Sequence, residues 1–244
     1  DLKPGSPTGG PFRPIATSGD VQICEHMPLV AKQMHNMAII RSMSTREADH
    51  MRGRYYMHTG YVPNPNMEHP SYGSVLSSQL NREGLAIPQF VSVGGGSIGA
   101  GFLGMKHAPF VVNSDGRVRN LDMKIDERFY QRAFALDLIE NNFINQKRGS
   151  AAKDHRDVVK QAFDVLTSEQ MNAFKVATEP ESVKERYGDN SFGKGCLMAR
   201  RLVEARVPFI EVNLGGWDNH QNIFPTLKDN KLPMLDKGMS ALIE

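Results

Sequence analysis

Apolar positions recur along this chain in two periods, helical in some stretches and unbroken in others. EHMPLVAKQMHN (25–36) sets Met27, Val30, Ala31 and Met34 at helical spacing, which predicts a short helix. MAIIRSMS (37–44) is too brief for a helix and predicts a buried strand. DHMRGRYYMHTGY (49–61) predicts a helix ending at Thr59-Gly60, and VPNPNMEHPSYG reads as a loop on its prolines and asparagines. YGSVLSSQLNREG (72–84) predicts a helix closed by Gly84, followed by a second strand in IPQFVSVGG (87–95). The stretch from Gly94 to Asp122 is loop-like, with a further short strand in APFVVN (108–113). RFYQRAFALDLIENNFINQKR and HRDVVKQAFDVLTS carry repeating apolar stripes, so residues 126–187 form a mostly helical insertion. FGKGCLMARRLVEARV (192–207) is then a helix that leads into the strand VPFIEVNL (207–214), and LDKGMSALIE (235–244) has an amphipathic helical pattern.

Strands alternating with helices argue for an α/β fold with a mainly parallel central sheet. MAIIRS, PQFVSV and FIEVNL are each apolar on both faces, which predicts interior strands of one sheet. At 244 residues the chain accommodates one large α/β domain or two small ones, and is long enough for a substantial core. Neither internal repeats nor low-complexity tracts divide it.

Composition narrows the function classes. Hydrophobic residues at 40% and charged residues at 23% are ordinary for a globular protein. A net charge of +2 gives no nucleic-acid footprint. No apolar run approaches the roughly 18 residues that a membrane-spanning helix needs. Cys24 and Cys196, the two cysteines, read as buried thiols rather than a disulfide framework, and the 13 methionines read as core filling. The Pro/Gly-rich opening and the unterminated final helix read as cut ends, with room for a targeting segment upstream.

Three motifs bear on chemistry. GGGSIG (94–99) matches G-x-G-x-x-G after a predicted strand, but Gly101, Gly104 and Pro109 break the helix that a dinucleotide site requires. A flexible glycine loop is the reading that remains. His50 and Arg54 lie one turn apart at a predicted helix start, where a guanidinium fork and the helix N-terminus together can address an anion. An exposed His and a solvated Arg would have the same spacing. Asp218-x-His220, just beyond the strand and Gly215-Gly216, offers a carboxylate and an imidazole that suit zinc or manganese. An Asx turn with an exposed His is the alternative, since a catalytic zinc takes at least three protein ligands. His58, His69 and His107 read as ordinary histidines.

Several blocks together resemble one family. RSMSTREADHMRGRYYMHTGY, HPSYGSVLSSQL, GAGFLGMKHAPFVV, ERYGDNSFGKGCLMARRLVEARVPFIEVNLGGWDNHQN and LDKGMSALIE are similar to the domain-of-unknown-function 1501 family, nearly from end to end. That family is related to the sulfatase and alkaline-phosphatase superfamily, and its own activity is largely unestablished. The resemblance implies an alkaline-phosphatase-like sandwich with a mainly parallel sheet, of which residues 1–244 are a fragment incomplete at both ends. It implies export to the periplasm or medium, although the chain itself carries no signal. It also implies a divalent metal (zinc, manganese or calcium) with Asp218 and His220 as ligands, in a site left incomplete by the fragment. HTGYVP resembles the sulfatase pattern, which places His50 at the nucleophile position and Arg54 at the position of its arginine. A His there departs from the Cys, Ser or Thr of the known hydrolases and leaves its role as nucleophile, ligand or acid open. The implied function is metal-dependent hydrolysis of a sulfate or phosphate ester of a small molecule or glycan. The alternative is a non-catalytic protein that binds an anionic glycan or a protein partner on the same fold.

Overall fold

A computed structural model describes residues 10–80, 82–113, 125–146 and 151–244. The expected opening loop before Gly10, the loop reading between Ser114 and Asp122, and the expected helical extension to Lys147 and Arg148 lie outside the described residues.

The chain begins with a small antiparallel pair, β1 (Pro14–Ile15) and β2 (Ile23–Cys24), then the short helix α1 (Pro28–Lys32). Helices α2 (His50–Thr59) and α3 (Tyr72–Gln79) precede strand β3 (Phe90–Val93) and strand β4 (Phe110–Val112). Next come α4 (Glu127–Asn145), α5 (Ala151–Thr167), α6 (Glu181–Tyr187) and α7 (Ser191–Glu204). Strand β5 (Phe209–Val212), the turn α8 (Ile223–Thr226), a π-helical turn at Leu227–Lys231 and α9 (Leu232–Ile243) follow. The molecule is α/β, with a three-stranded parallel sheet in the order β4-β3-β5.

β3 is the centre. Phe90, Val91, Ser92 and Val93 are all buried, as an unbroken apolar run in a parallel sheet requires. Phe90 pairs with Phe209 and Val93 with Val212, so Phe90, Ser92, Phe209 and Glu211 share one face. Two glycines let helices approach closely from either side. A Cβ on Gly73 of α3 would sit 2.6 Å from Phe209 and 2.7 Å from Phe90. On the opposite face, a Cβ on Gly195 of α7 would meet Val93 at 3.1 Å and Val212 at 3.3 Å. Against the far side of α7 lies α9, where Gly238 faces Phe192 and Cys196.

Between β4 and α7 the described residues are mostly helical, with α4 and α5 packed through stacked Phe129 and Phe163 rings. Their partly exposed interior includes Glu140, whose buried carboxylate meets His155.

Five expectations need correction. MAIIRS is not a strand: residues 37–45 join no β-ladder among the described residues, and Ile40 is 71% exposed. An apolar run becomes a strand only where a neighbour supplies its ladder, and no described strand adjoins this one. FIEVNL lies at an edge of the described sheet and is half-buried, not interior. The α3 helix stops at Leu80, short of Gly84. Cys24 is half-buried rather than core, and Met43, Met51, Met57, Met67 and Met105 are exposed although Met34, Met171 and Met198 fill the core.

Candidate functional site

The segment after β5 is shaped by its glycines. Gly216 has φ +76°, and the ammonium of Lys231 stands 2.6 Å from where its Cβ would be. That ammonium donates to the Gly215 carbonyl at 2.7 Å, so the π-helical turn reaches back to hold the loop. Trp217 Nε1 donates to the Leu214 carbonyl at 2.7 Å, and the Asn219 amide donates to the Gly216 carbonyl at 3.2 Å. These bonds close a compact turn on which Asp218 and His220 stand out beyond the strand's carboxyl end.

Helix α2 meets that turn. Asp49 caps it by accepting the Arg52 N–H at 2.9 Å, and Gly60 ends it in the left-handed region at φ +76°. His50, Arg54 and His58 therefore recur at i, i+4 and i+8 on one face. His50 Nε2 lies 3.2 Å from Asp218 Oδ2, while His220 Nδ1 lies 3.3 Å from Asp218 Oδ1. The three predicted residues converge, with one carboxylate shared between two imidazoles. All three are open to solvent, at 78% for His50, 54% for Asp218 and 80% for His220.

Arg54 takes the next position along the stripe. Its Nη2 lies 2.5 Å from the ideal Cβ position of Gly96, so a side chain there would displace the guanidinium, and φ +80° itself favours glycine. Gly94, Gly95 and Gly96 all have positive φ, which makes GGGSIG a tight turn at the end of β3. It opens no long helix, only a 3-10 turn at Gly101–Leu103, so the dinucleotide reading fails on structure as on sequence. No carboxylate pairs with Arg54 among the described residues, and the residue is half-buried.

Sequence reasoning passed over the third position. His58 Nδ1 faces Glu211 Oε2 at 3.6 Å. Ser97 Oγ donates to the same oxygen at 3.1 Å, and Asn213 Nδ2 donates to Oε1 at 2.8 Å. Asn213 Nδ2 also lies 3.3 Å from Ser92 Oγ on the central strand. Glu211 keeps only 15% of its side-chain surface. Two signals point to it in hindsight: a lone carboxylate inside the apolar run FIEV, and a His that continues the His50–Arg54 spacing.

Other ionisable groups stand apart from this centre. Burial pushes the Cys196 thiol up to about 12, which makes it inert rather than nucleophilic. His107 is held below the usual imidazole range, first by burial and then by Lys106, while its Nδ1 meets Ser77 Oγ at 3.2 Å.

Two imidazoles and a carboxylate are the donor types that zinc takes. Asp218 is common to both contacts, so the donors fit a metal in kind. Each oxygen is turned to a different ring, and no group of three His, Cys, Asp or Glu among the described residues is gathered closely enough to hold an ion. Loading would therefore require these exposed side chains to turn inward together.

No curated protein and no solved structure matches the chain. No described helix is long and apolar enough to cross a membrane. The model of one family, described as protein of unknown function (DUF1501), matches residues 7–244, and the chain belongs to that family.

Proposed function

We propose that this protein is a metal-dependent hydrolase of sulfate or phosphate esters, built on an alkaline-phosphatase-like arrangement and exported from the cell. The observation that carries the reading is the meeting of His50, Asp218 and His220 next to Arg54, whose guanidinium has no carboxylate partner among the described residues. Residues from α2, from the turn after β3 and from the turn after β5 gather at the carboxyl ends of parallel strands, where open α/β sheets bind ligands.

A divalent metal held by Asp218 and His220, with His50 adjacent, would polarise the ester oxygen. The chain's own residues do the rest. Arg54 offers a planar fork to a non-bridging oxygen, and the N-terminal end of α2 adds partial positive charge. His50 acts at the position of the attacking group. Its Nε2 is turned to Asp218, which leaves Nδ1 to face a substrate.

The test is a screen of sulfate and phosphate monoesters and diesters, on small-molecule and glycan alcohols, with added zinc, manganese or calcium. Turnover of one ester class that depends on metal supports the reading. A protein that takes up metal and binds an anionic glycan or a protein partner, yet turns over no ester, is the non-catalytic binder instead.

A further inference from the structure

Within the hydrolase reading, on which this inference rests, Arg54 and the metal ligands account for the anion but leave the departing alcohol without a proton source. The stripe on α2 extends past Arg54 by one more turn, to His58. Its Nδ1 is turned to Glu211, and that carboxylate is itself fixed by Ser97 at 3.1 Å and by Asn213 at 2.8 Å. Ser97 follows directly on Gly96, the residue under the Arg54 guanidinium. An oxyanion held by Arg54 would thus lie within one helical turn of the imidazole, whose nitrogen not facing Glu211 is Nε2.

We propose that His58 is the general acid of the reaction and that Glu211 is its positioning residue. A carboxylate 3.6 Å from Nδ1 orients the ring, and in the imidazolium form the proton offered is the one on Nε2. When the attacking group bonds to sulfur or phosphorus, the bond to the ester oxygen breaks and its electron pair stays on that oxygen. The Nε2 proton passes to it and the alcohol leaves. The imidazole, now neutral, takes a proton back from solvent. Over one cycle a single water is consumed, its oxygen ending on the sulfate or phosphate. The substrate class that needs such a donor is the alkyl ester, including sugar esters, because an alkoxide is a poor leaving group.

The experiment compares an alkyl ester with a 4-nitrophenyl ester of the same acid, using the full chain with zinc supplied. A nitrophenolate leaves without a proton, whereas an alkoxide does not. His58→Gln is expected to lower alkyl-ester kcat by about 100-fold or more relative to its effect on the nitrophenyl ester, as loss of a general acid does. Glu211→Gln is expected to shift the same ratio by about tenfold, in keeping with loss of an orienting partner. It carries the comparison by itself if His58→Gln does not fold. Equal losses on both esters would overturn the assignment of His58 and leave the hydrolase reading standing. No turnover of either ester by the unaltered protein would remove both.

Discussion

Arg54 rests on Gly96, with Nη2 2.5 Å from the point where a side chain at that position would begin. The contact joins helix α2 to the turn after β3 and aims the only guanidinium on the His50–His58 stripe. Gly96→Ala adds a methyl at φ +80° and forces Arg54 aside. Turnover is expected to fall by about 100-fold, the scale of a 1 Å misplacement in an active site. Metal content should be unchanged, because no proposed ligand is touched. Loss of metal with unchanged turnover per metal-loaded molecule would contradict the placement of Arg54 at the anion.

Arg54→Lys separates charge from geometry. Lysine is a point charge and cannot make the two-pronged contact with an oxyanion. Turnover should drop by at least about tenfold with metal retained, since one charge-assisted hydrogen bond is worth roughly 1.5–3 kcal/mol. Measuring kcat/KM and metal content on the same preparation checks it.

These two variants also mark what the sequence makes legible. FVSV declares itself, because four buried residues in a row suit only the centre of a parallel sheet. The convergence of His50 with Asp218 and His220 is legible through the family resemblance. Spacing alone could not join residues on α2 to a turn after β5. MAIIRS misleads because periodicity reports apolarity and not the presence of a partner strand. Glu211 and His58 are invisible separately. Only the sheet register, which puts Glu211 on the same face as Phe209, brings the carboxylate up to α2.

Stability should carry a signature at Glu179, which joins the segment before α6 to α7. Its carboxylate pairs with Arg200 at 2.7 Å and also with Arg201. The Arg200 hydrogen bond, with that of Arg201, holds it below the usual carboxylate range against the opposing effect of burial. A depressed folded value means the stabilisation is present above the unfolded value, about 4.3, and is lost as pH falls through the folded one. Glu179→Gln should cost about 1–3 kcal/mol at pH 7, and less at pH 3. Denaturant midpoints at the two pH values decide it; an equal cost at both would contradict the ion-pair account.

Asp236 on α9 should behave in the opposite sense. Its carboxylate accepts the Val30 N–H at 2.7 Å and the Leu29 N–H at 3.0 Å, tying α1 to the C-terminal helix. Burial pushes it above the usual range, against the two backbone donors and Lys32. The folded state therefore binds the proton more readily than the unfolded chain, and this group's contribution declines as pH rises above the ordinary carboxylate value. Asp236→Ala leaves the buried Val30 donor unpaired, at a cost of about 1–3 kcal/mol. The gap to the unaltered protein should widen from pH 7 towards pH 4. A gap that narrows over that range would show that the ionised form is the stabilising one.

Asp218 is the residue both imidazoles share, so its loss is the sharpest test of the account. In the full chain, metal content by elemental analysis and turnover of the best ester substrate are measured for Asp218→Ala beside the unaltered protein. Metal uptake and turnover should disappear together, because too few ligands remain. Undiminished turnover in Asp218→Ala would contradict the proposed site.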